Sequence, residues 1–310
     1  MTGQFLRRFG AVSVAALALA PALAVAQEAA KTNDWVAGQP APDQWHFQRS
    51  VTPIMDSIEA FHNGILMWTI TFIVLLVLAL LLYCVWRFSA KRNPVPSKTT
   101  HNTFIEIAWT VLPIVVLIVI AIPSFGVLGD QLTVPDGVRK YLGPNIFSFG
   151  EVAVPAPALT VKATGQQWYW NYEYVEDAKA FDSNILHEAD RTKLKPAQPR
   201  LLAVDNELVV PVDTTVRVQV TADPSGVIHA FAVPSFGIKI DAVPGRLNET
   251  WFNSRETGIF YGQCSELCGK DHAFMPIAVR VVTKEQFATW MAAFKAGDYA
   301  AATATLAAVQ

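Results

Sequence analysis

The chain has 310 residues, of which 52% are apolar and only 16% charged, with a formal net charge of −2. Globular chains carry closer to ~25% charged residues, so the balance excludes a simple soluble protein and points to a membrane segment joined to a folded polar part. Near-neutrality excludes a strongly basic nucleic-acid binder, and three cysteines, an odd number, are a poor fit to a disulfide-stapled scaffold.

Residues 1–26 read as an export signal. Arg7 and Arg8 give the positive start, residues 9–23 are mostly apolar and small, and Ala24-Val25-Ala26 fits the small-x-small cleavage rule. Residues 27–54 are polar, with Pro40, Pro42 and Pro53, and read as an extended outer arm. Residues 65–86 then run without a charge, and so do residues 107–128, the second with Pro113 and Pro123 inside it. About 20 residues at 1.5 Å each cross ~30 Å of hydrocarbon, so each run predicts a membrane span, the prolines tolerated with a kink. The loop between them carries Arg87, Lys91, Arg92 and Lys98 and no acid before Glu106. Positive loops stay in the cytoplasm, so the expectation is a hairpin with both ends facing outward, as an export signal requires. Residues 27–129 therefore form arm and hairpin.

Residues 130–283 form the outer domain. Alternating β-type runs at 159–164, 215–221, 228–233, 258–261 and 277–282, punctuated by Pro and Gly, predict an antiparallel sandwich or barrel. Residues 178–205 read as an irregular insertion. The tail, 284–310, has Phe287, Trp290, Met291 and Phe294 at helical spacing, which predicts a short helix followed by a frayed end.

The chemistry concentrates in Gly262-Gln-Cys-Ser-Glu-Leu-Cys-Gly-Lys-Asp-His-Ala-Phe-Met-Pro276. Cys264, Cys268, His272 and Met275 offer two thiolates, an imidazole and a thioether, and a thioether is a copper ligand far more often than a zinc ligand. His229, in an earlier apolar run, is the candidate second imidazole. Two cysteines four apart can aim at one site and bridge two copper ions, spreading one unpaired electron over both. A disulfide between them and a structural zinc site stand as alternatives; the His and Met that follow count against the first and the C-x3-C spacing against the second. Cys84, inside the first span, reads as a packing residue.

These residues also carry a family resemblance. Tyr261-Gly-Gln-Cys-Ser-Glu-Leu-Cys268, continuing through His272 to Met275-Pro-Ile277, resembles the binuclear copper loop of cytochrome c oxidase subunit II. Gln167-Trp-Tyr-Trp-Asn-Tyr-Glu-Tyr174, Val227-Ile-His-Ala-Phe231 and Asp241-Ala-Val-Pro-Gly-Arg-Leu-Asn248 agree with it, and with the hairpin the resemblance covers about residues 50–285. It implies an N-terminal two-helix transmembrane hairpin followed by an all-β cupredoxin-like barrel. It implies copper ligation by His229, Cys264, Cys268, His272 and Met275 through side chains and by Glu266 through its carbonyl. It further implies that the Glu266 carboxylate, with Asp241 acting through water, lies at a magnesium ion shared with subunit I. Trp168 matches an exposed tryptophan that receives electrons from cytochrome c, and Tyr169 and Trp170 read as core. Glu106 matches a glutamate at the entrance of a proton path in subunit I; the plainer reading is a helix-terminal acid. Haems and oxygen reduction coupled to proton pumping belong to subunit I; the partners expected are that subunit, other oxidase subunits, cytochrome c and membrane lipid, with no nucleic acid.

The outer domain holds more acids than bases, and Glu173, Glu176, Asp177, Asp213 and Asp223 are candidate docking charges for a basic donor. Ser225-Gly226 stand where relatives often place acids. Three rivals fit less well: nitrous oxide reductase, which is soluble; a thioredoxin-type copper-delivery protein, whose Cys pair lies early in a βαβ pattern; and a quinol-oxidase subunit II, which lacks the ligands. No C-x-x-C-H haem motif is present. The location expected is a bacterial inner membrane, with both termini and the copper domain on the periplasmic side.

Overall fold

The computed structural model describes residues 38–41, 43–141, 152–193 and 198–307. The export signal and its cleavage point, with most of the arm before Gly38, lie outside the described residues.

The first helix begins at Pro53, where a proline costs no hydrogen bond, capped by Thr52, whose hydroxyl accepts from Met55 N–H at 3.2 Å. Helix α1 (Pro53–Phe61) passes through a π-turn (His62–Leu66) into α2 (Met67–Arg87). Helix α3 (Thr103–Leu132) returns, unbroken through Pro113 and Pro123. Two long helices here are apolar enough to cross a membrane, and their most apolar stretches have no buried residue. They contain both predicted spans. Helix formation begins earlier than the apolar run because the polar first turns have a different job: Ile54, Met55 and Ser57 of α1 are buried against the β-domain.

Ten strands form two five-stranded sheets, and β1 (Lys140–Tyr141) and β2 (Val152–Ala153) pair separately. The first sheet has the order β10-β7-β3-β4-β5, from β3 (Leu159–Gln166), β4 (Tyr169–Tyr174), β5 (Lys179–Ser183), β7 (Thr215–Ala222) and β10 (Asn248–Asn253). The second has the order β6-β12-β11-β8-β9, from β6 (Leu208–Pro211), β8 (His229–Val233), β9 (Ile238–Ala242), β11 (Gly258–Cys264) and β12 (Pro276–Val282). Most pairs are antiparallel; β3 with β7 and β6 with β12 run parallel. Strict alternation of buried and half-buried residues along β3 shows why period two was readable there. The inner faces meet in one core that includes Trp170, Tyr172, Tyr174, Phe231, Phe252 and Phe260.

All five predicted strands are present, and two expectations are corrected. The stretch 178–205 is not wholly irregular: Lys179–Ser183 is an edge strand on β4, with Phe181 and Ser183 inward, and a short helix α4 (Glu188–Arg191) and an antiparallel bridge between Ile185 and Val204 lie beyond it. The tail does not fray after one helix. Helix α5 (Lys284–Ala296), opened by a Thr283/Gln286 capping box, is followed by α6 (Tyr299–Ala307), which buries Ala302 and Leu306. Tyr299 holds it down by donating to the Glu207 carbonyl at 2.6 Å.

The hairpin is tied to the β-domain by named bonds. Trp251 Nε1–H donates to the Asp130 carbonyl at 2.8 Å and Thr250 Oγ1–H to the Gln131 carbonyl at 3.0 Å, both at the end of α3. Arg255 grips both carboxylate oxygens of Asp56 at 2.7 and 2.8 Å, the bidentate geometry that fixes orientation.

Candidate metal centre

The site lies at one end of the second sheet. His229 opens β8 and Cys264 closes β11, strands that pair at Gln263 with Ala232 and Cys264 with Phe231. Loop 265–275 then returns to β12, its ends held by Cys264 N–H donating to the Met275 carbonyl at 3.4 Å and Ser265 N–H to the Ala230 carbonyl at 3.1 Å. Ligand candidates far apart in sequence are thereby gathered by strand register.

They converge closely. Cys264 Sγ lies 3.9 Å from Cys268 Sγ and 3.8 Å from His229 Nδ1. Cys268 Sγ lies 3.5 Å from His272 Nδ1 and 3.5 Å from Met275 Sδ, and the Glu266 carbonyl lies 3.3 Å from Cys264 Sγ. Both cysteines are free thiols, which removes the disulfide alternative here. His229, Cys264, Cys268 and Met275 are buried, and His272 is half-buried. Cys84 stands exposed on α2, away from this group.

The electrostatics suit a soft cation. Burial, with Cys264 close by, pushes the Cys268 thiol up to about 12, and burial, helped by His272, holds His229 below the ordinary histidine range. A Cys268 thiol that burial keeps protonated and a His229 imidazole that it keeps neutral are ligands waiting for a charge that would displace the thiol proton. Two sulfurs, two imidazoles, a thioether and a carbonyl match copper rather than a hard ion.

The surroundings are close-packed, and sequence reasoning missed part of this. A Cβ on Gly165 would lie 2.8–3.0 Å from three atoms of the His229 side chain, so the bare backbone of β3 is what lets that side chain approach the opposite sheet so closely. Gly262 is tighter still: a Cβ would meet the Ala232 carbonyl oxygen at 2.0 Å. A glycine inside an alternating strand was the available signal for close approach. Trp170 is fully buried, with its ring centroid 6.2 Å from that of His229. Tyr169 is only half-buried, so the core reading holds for Trp170 more fully than for its neighbour.

Trp168 is half-buried rather than fully exposed, because its indole N–H donates to the Cys268 carbonyl at 3.1 Å. Lys270 Nζ lies 5.4 Å from the ring centroid. Glu266 and Asp241 both expose their side chains on one edge: Asp241 pairs with Ala230, whose carbonyl receives the N–H of Ser265, next to Glu266. Glu106 is remote from all of these; its carboxylate accepts from Asn102 N–H at 3.2 Å while Asn102 Oδ1 accepts from Ile105 N–H at 3.3 Å, a reciprocal cap on α3.

Over residues 40–127 the chain matches the transmembrane domain of cytochrome c oxidase subunit II, and over 159–282 its periplasmic domain. A probable cytochrome c oxidase subunit 2 of Rickettsia felis is 47% identical over 262 residues, covering 84% of this chain and 75% of the relative. The chain belongs to the cytochrome c oxidase subunit II family. The cytochrome c oxidase subunit 2 of Cereibacter sphaeroides is 40% identical over 304 residues, covering 93% of this chain and 91% of its own. The crystal structure of the periplasmic domain of subunit II of cytochrome oxidase of Bradyrhizobium japonicum shares 60% identity, covers 45% of this chain and 94% of its own, and gives a TM-score of 0.40. Subunit II is the electron-transfer subunit of a haem–copper terminal oxidase. The family has a cupredoxin-like β-domain behind a membrane hairpin and implies a binuclear copper site, which the convergence of His229, Cys264 and Cys268 fits.

Proposed function

We propose that this subunit holds a binuclear copper centre ligated by His229, Cys264, Cys268, His272, Met275 and the Glu266 carbonyl, and that its electrons come from a cytochrome c on the periplasmic side. One observation carries the reading: each imidazole, thioether and carbonyl donor stands 3.3–3.8 Å from the sulfur of Cys264 or Cys268, and those two sulfurs stand 3.9 Å apart. When bound, the metal pair supplies a one-electron carrier whose charge is shared over both ions, which keeps reorganisation small.

The chain's own residues do the rest. The Trp168 indole joins the surface to the site through one hydrogen bond to Cys268 and the covalent bonds from that carbonyl to Sγ. Trp170 and Phe231 pack edge-to-face at 5.5 Å behind His229 and exclude water. Of the proposed docking acids, Asp223 is the best placed, within hydrogen-bonding influence of Gln166 at the end of β3 and held below the ordinary carboxylate range chiefly by the Ser225 hydroxyl and amide. Glu173 and Asp177 are already paired, with Lys162 at 3.6 Å and Lys295 at 2.6 Å, which weakens their claim; Glu176 and Asp213 are exposed.

Glu266 and Asp241 offer hard oxygen ligands on one edge, which suits a magnesium ion that keeps several waters and takes its remaining ligands from subunit I. Exposed Ile228, Leu267 and Phe274 on the rim of the site suit burial against another subunit. The positive loop between α2 and α3 supports a hairpin whose ends both face the periplasm, with residues 1–26 as the export signal, 27–129 the arm and hairpin, 130–283 the copper domain and 284–310 the tail. Glu106, in the first turn of α3, serves as a cap, and the family resemblance assigns it a further role at the entrance of a proton path.

The test is copper loading of the full chain in detergent. Two coppers per chain and a purple mixed-valence spectrum are expected, abolished by Cys264→Ser or Cys268→Ser; a colourless zinc protein overturns the centre. Trp168→Ala should slow oxidation of reduced cytochrome c with the colour kept, and unchanged turnover removes its role.

A further inference from the structure

The carbonyl of Cys268 has two side-chain donors. Trp168 Nε1–H and Gln167 Nε2–H each reach it at 3.1 Å. The two residues form the link between β3, which ends at Gln166, and β4, which starts at Tyr169, and Gln166 and Tyr169 pair across it. Successive residues normally point to opposite sides of a sheet; here both side chains turn onto one oxygen of the facing loop. The receiving side is built for this. Gly269 has φ +122°, open only to glycine, and a Cβ there would lie 3.0 Å from the Trp168 ring and 3.5 Å from Gln167 Nε2. The loop backbone thus lies flat against both donors.

The geometry points to Gln167 as a positioning residue for the metal loop: it clamps the Cys268 carbonyl so that the Trp168 hydrogen bond and the Cys268 sulfur keep one arrangement while a donor docks and leaves. Three features argue for this role. Gln167 is exposed, so its amide has water as an alternative partner and the bond to Cys268 must compete with it. Cys268 is buried, and its carbonyl is the natural pivot about which its sulfur would shift; a single indole donor leaves rotation about one bond, whereas two donors from adjacent residues do not. Both N–H dipoles also point their positive ends at the Cys268 carbonyl, and positive potential at the residue that carries the sulfur favours the more electron-rich, reduced form of whatever that sulfur binds. The role of the indole in this argument rests on the electron-receiving reading above; the clamp on Cys268 does not.

Three substitutions separate positioning from mere packing. Gln167→Met keeps the length without a donor, Gln167→Glu keeps the shape but aims an acceptor at the carbonyl, and Gln167→Lys restores a donor. Measured on the assembled oxidase, copper retention against a chelator should weaken about three- to tenfold in Gln167→Met, the scale of one net hydrogen bond, and more in Gln167→Glu. The reduction potential should fall in the same order and the visible bands should shift, with Gln167→Lys close to wild type. Turnover with cytochrome c should lose kcat in Gln167→Met with little change in KM. If Met and Lys behave alike, or all three keep the wild-type spectrum and potential, the clamp is wrong. Normal kcat in Trp168→Phe together with a shifted potential in Gln167→Met would sink the electron-receiving reading and leave the clamp standing.

Discussion

Gly165→Ala tests whether the first sheet sets the position of a ligand carried by the second. The added Cβ would stand 2.8 Å from Cδ2, 2.9 Å from Cγ and 3.0 Å from Cβ of His229, well inside the ~3.5–4.0 Å of favourable carbon contact. Something must move. The β3 backbone cannot recede easily, because it lies between β7 and β4 and is hydrogen-bonded on both sides. The imidazole cannot turn away from the metal loop, because Trp170 and Phe231 fill that side. It is left to shift toward Cys264. Overpacking of this kind costs about 1–3 kcal/mol, which lowers the melting temperature of a domain this size by roughly 2–4 °C per kcal/mol. Calorimetry of the full chain with and without copper separates the two consequences. The drop without copper reports the crowding, and the larger drop with copper reports affinity lost through the displaced ligand. A variant that melts like wild type in both states, with the same copper spectrum, would refute the inference that this glycine exists to seat His229.

Other expectations concern the frame. Arg280 and Glu207 form a bidentate pair with little exposure on either side, so Glu207→Ala should destabilise by about 3 kcal/mol, chiefly through the guanidinium left unpaired; urea unfolding would show it, and a loss below about 1 kcal/mol would mean water replaces the carboxylate. Tyr299→Phe removes the bond to the Glu207 carbonyl and should cost about 1 kcal/mol, adding to Glu207→Ala less than in full because both act on one residue. Asp136 is held below its ordinary value of 3.8 by the amides of Arg139 and Val138. A depressed folded pKa gives stability that is present above the unfolded value and is lost as pH falls through the folded one. Amide exchange at Val138 and Arg139 should therefore lose protection below pH 3.8, and in Asp136→Asn that acid-dependent step should vanish.

The parts of this fold legible in the sequence are those where one physical pattern acts alone. An uncharged run of sufficient length can only be a span or a buried helix, and both spans were found. Strands with one face inward alternate visibly, as β3 and β7 do. Strand β6 is buried at all four positions and β8 at all five, so neither alternates in burial; the 228–233 run reads as an alternating strand, yet every residue from His229 to Val233 is buried. Strand β5 was missed because as an edge strand it buries only Phe181 and Ser183, too little pattern to separate it from a loop. Helix α6 was missed because an Ala-rich stretch has no visible stripe; what holds it is Ala302 and Leu306 buried in the core and Tyr299, which packs on Phe181, Trp290 and Phe294 and reaches the Glu207 carbonyl. In the site, the proposed ligands could be picked out because chemistry restricts their residue types, and the structure brings His229, Cys264 and Cys268 together. The residues that seat them could not, since Gly165 and Gln167 act through contacts with chain sixty residues or more away.

That asymmetry bears on how the centre stays rigid. The proposed ligands come from β8, β11 and the loop into β12, all in one sheet, and so move together when that sheet flexes. The opposite sheet supplies no ligand, yet Gly165 bounds His229 on one side and Gln167 with Trp168 binds Cys268 on the other. A cage closed from two sheets can deform only if they slide past each other, and sliding would disturb the buried aromatic core between them, which is close-packed and resists it. Small reorganisation on electron transfer is then a property of the whole sandwich rather than of the ligand loop. Substitutions on β3 and on the β3–β4 link should therefore alter the copper spectrum without touching a ligand, whereas equally buried changes at the far end of the core, at Phe236 or Phe252, should lower stability and leave the spectrum unmoved.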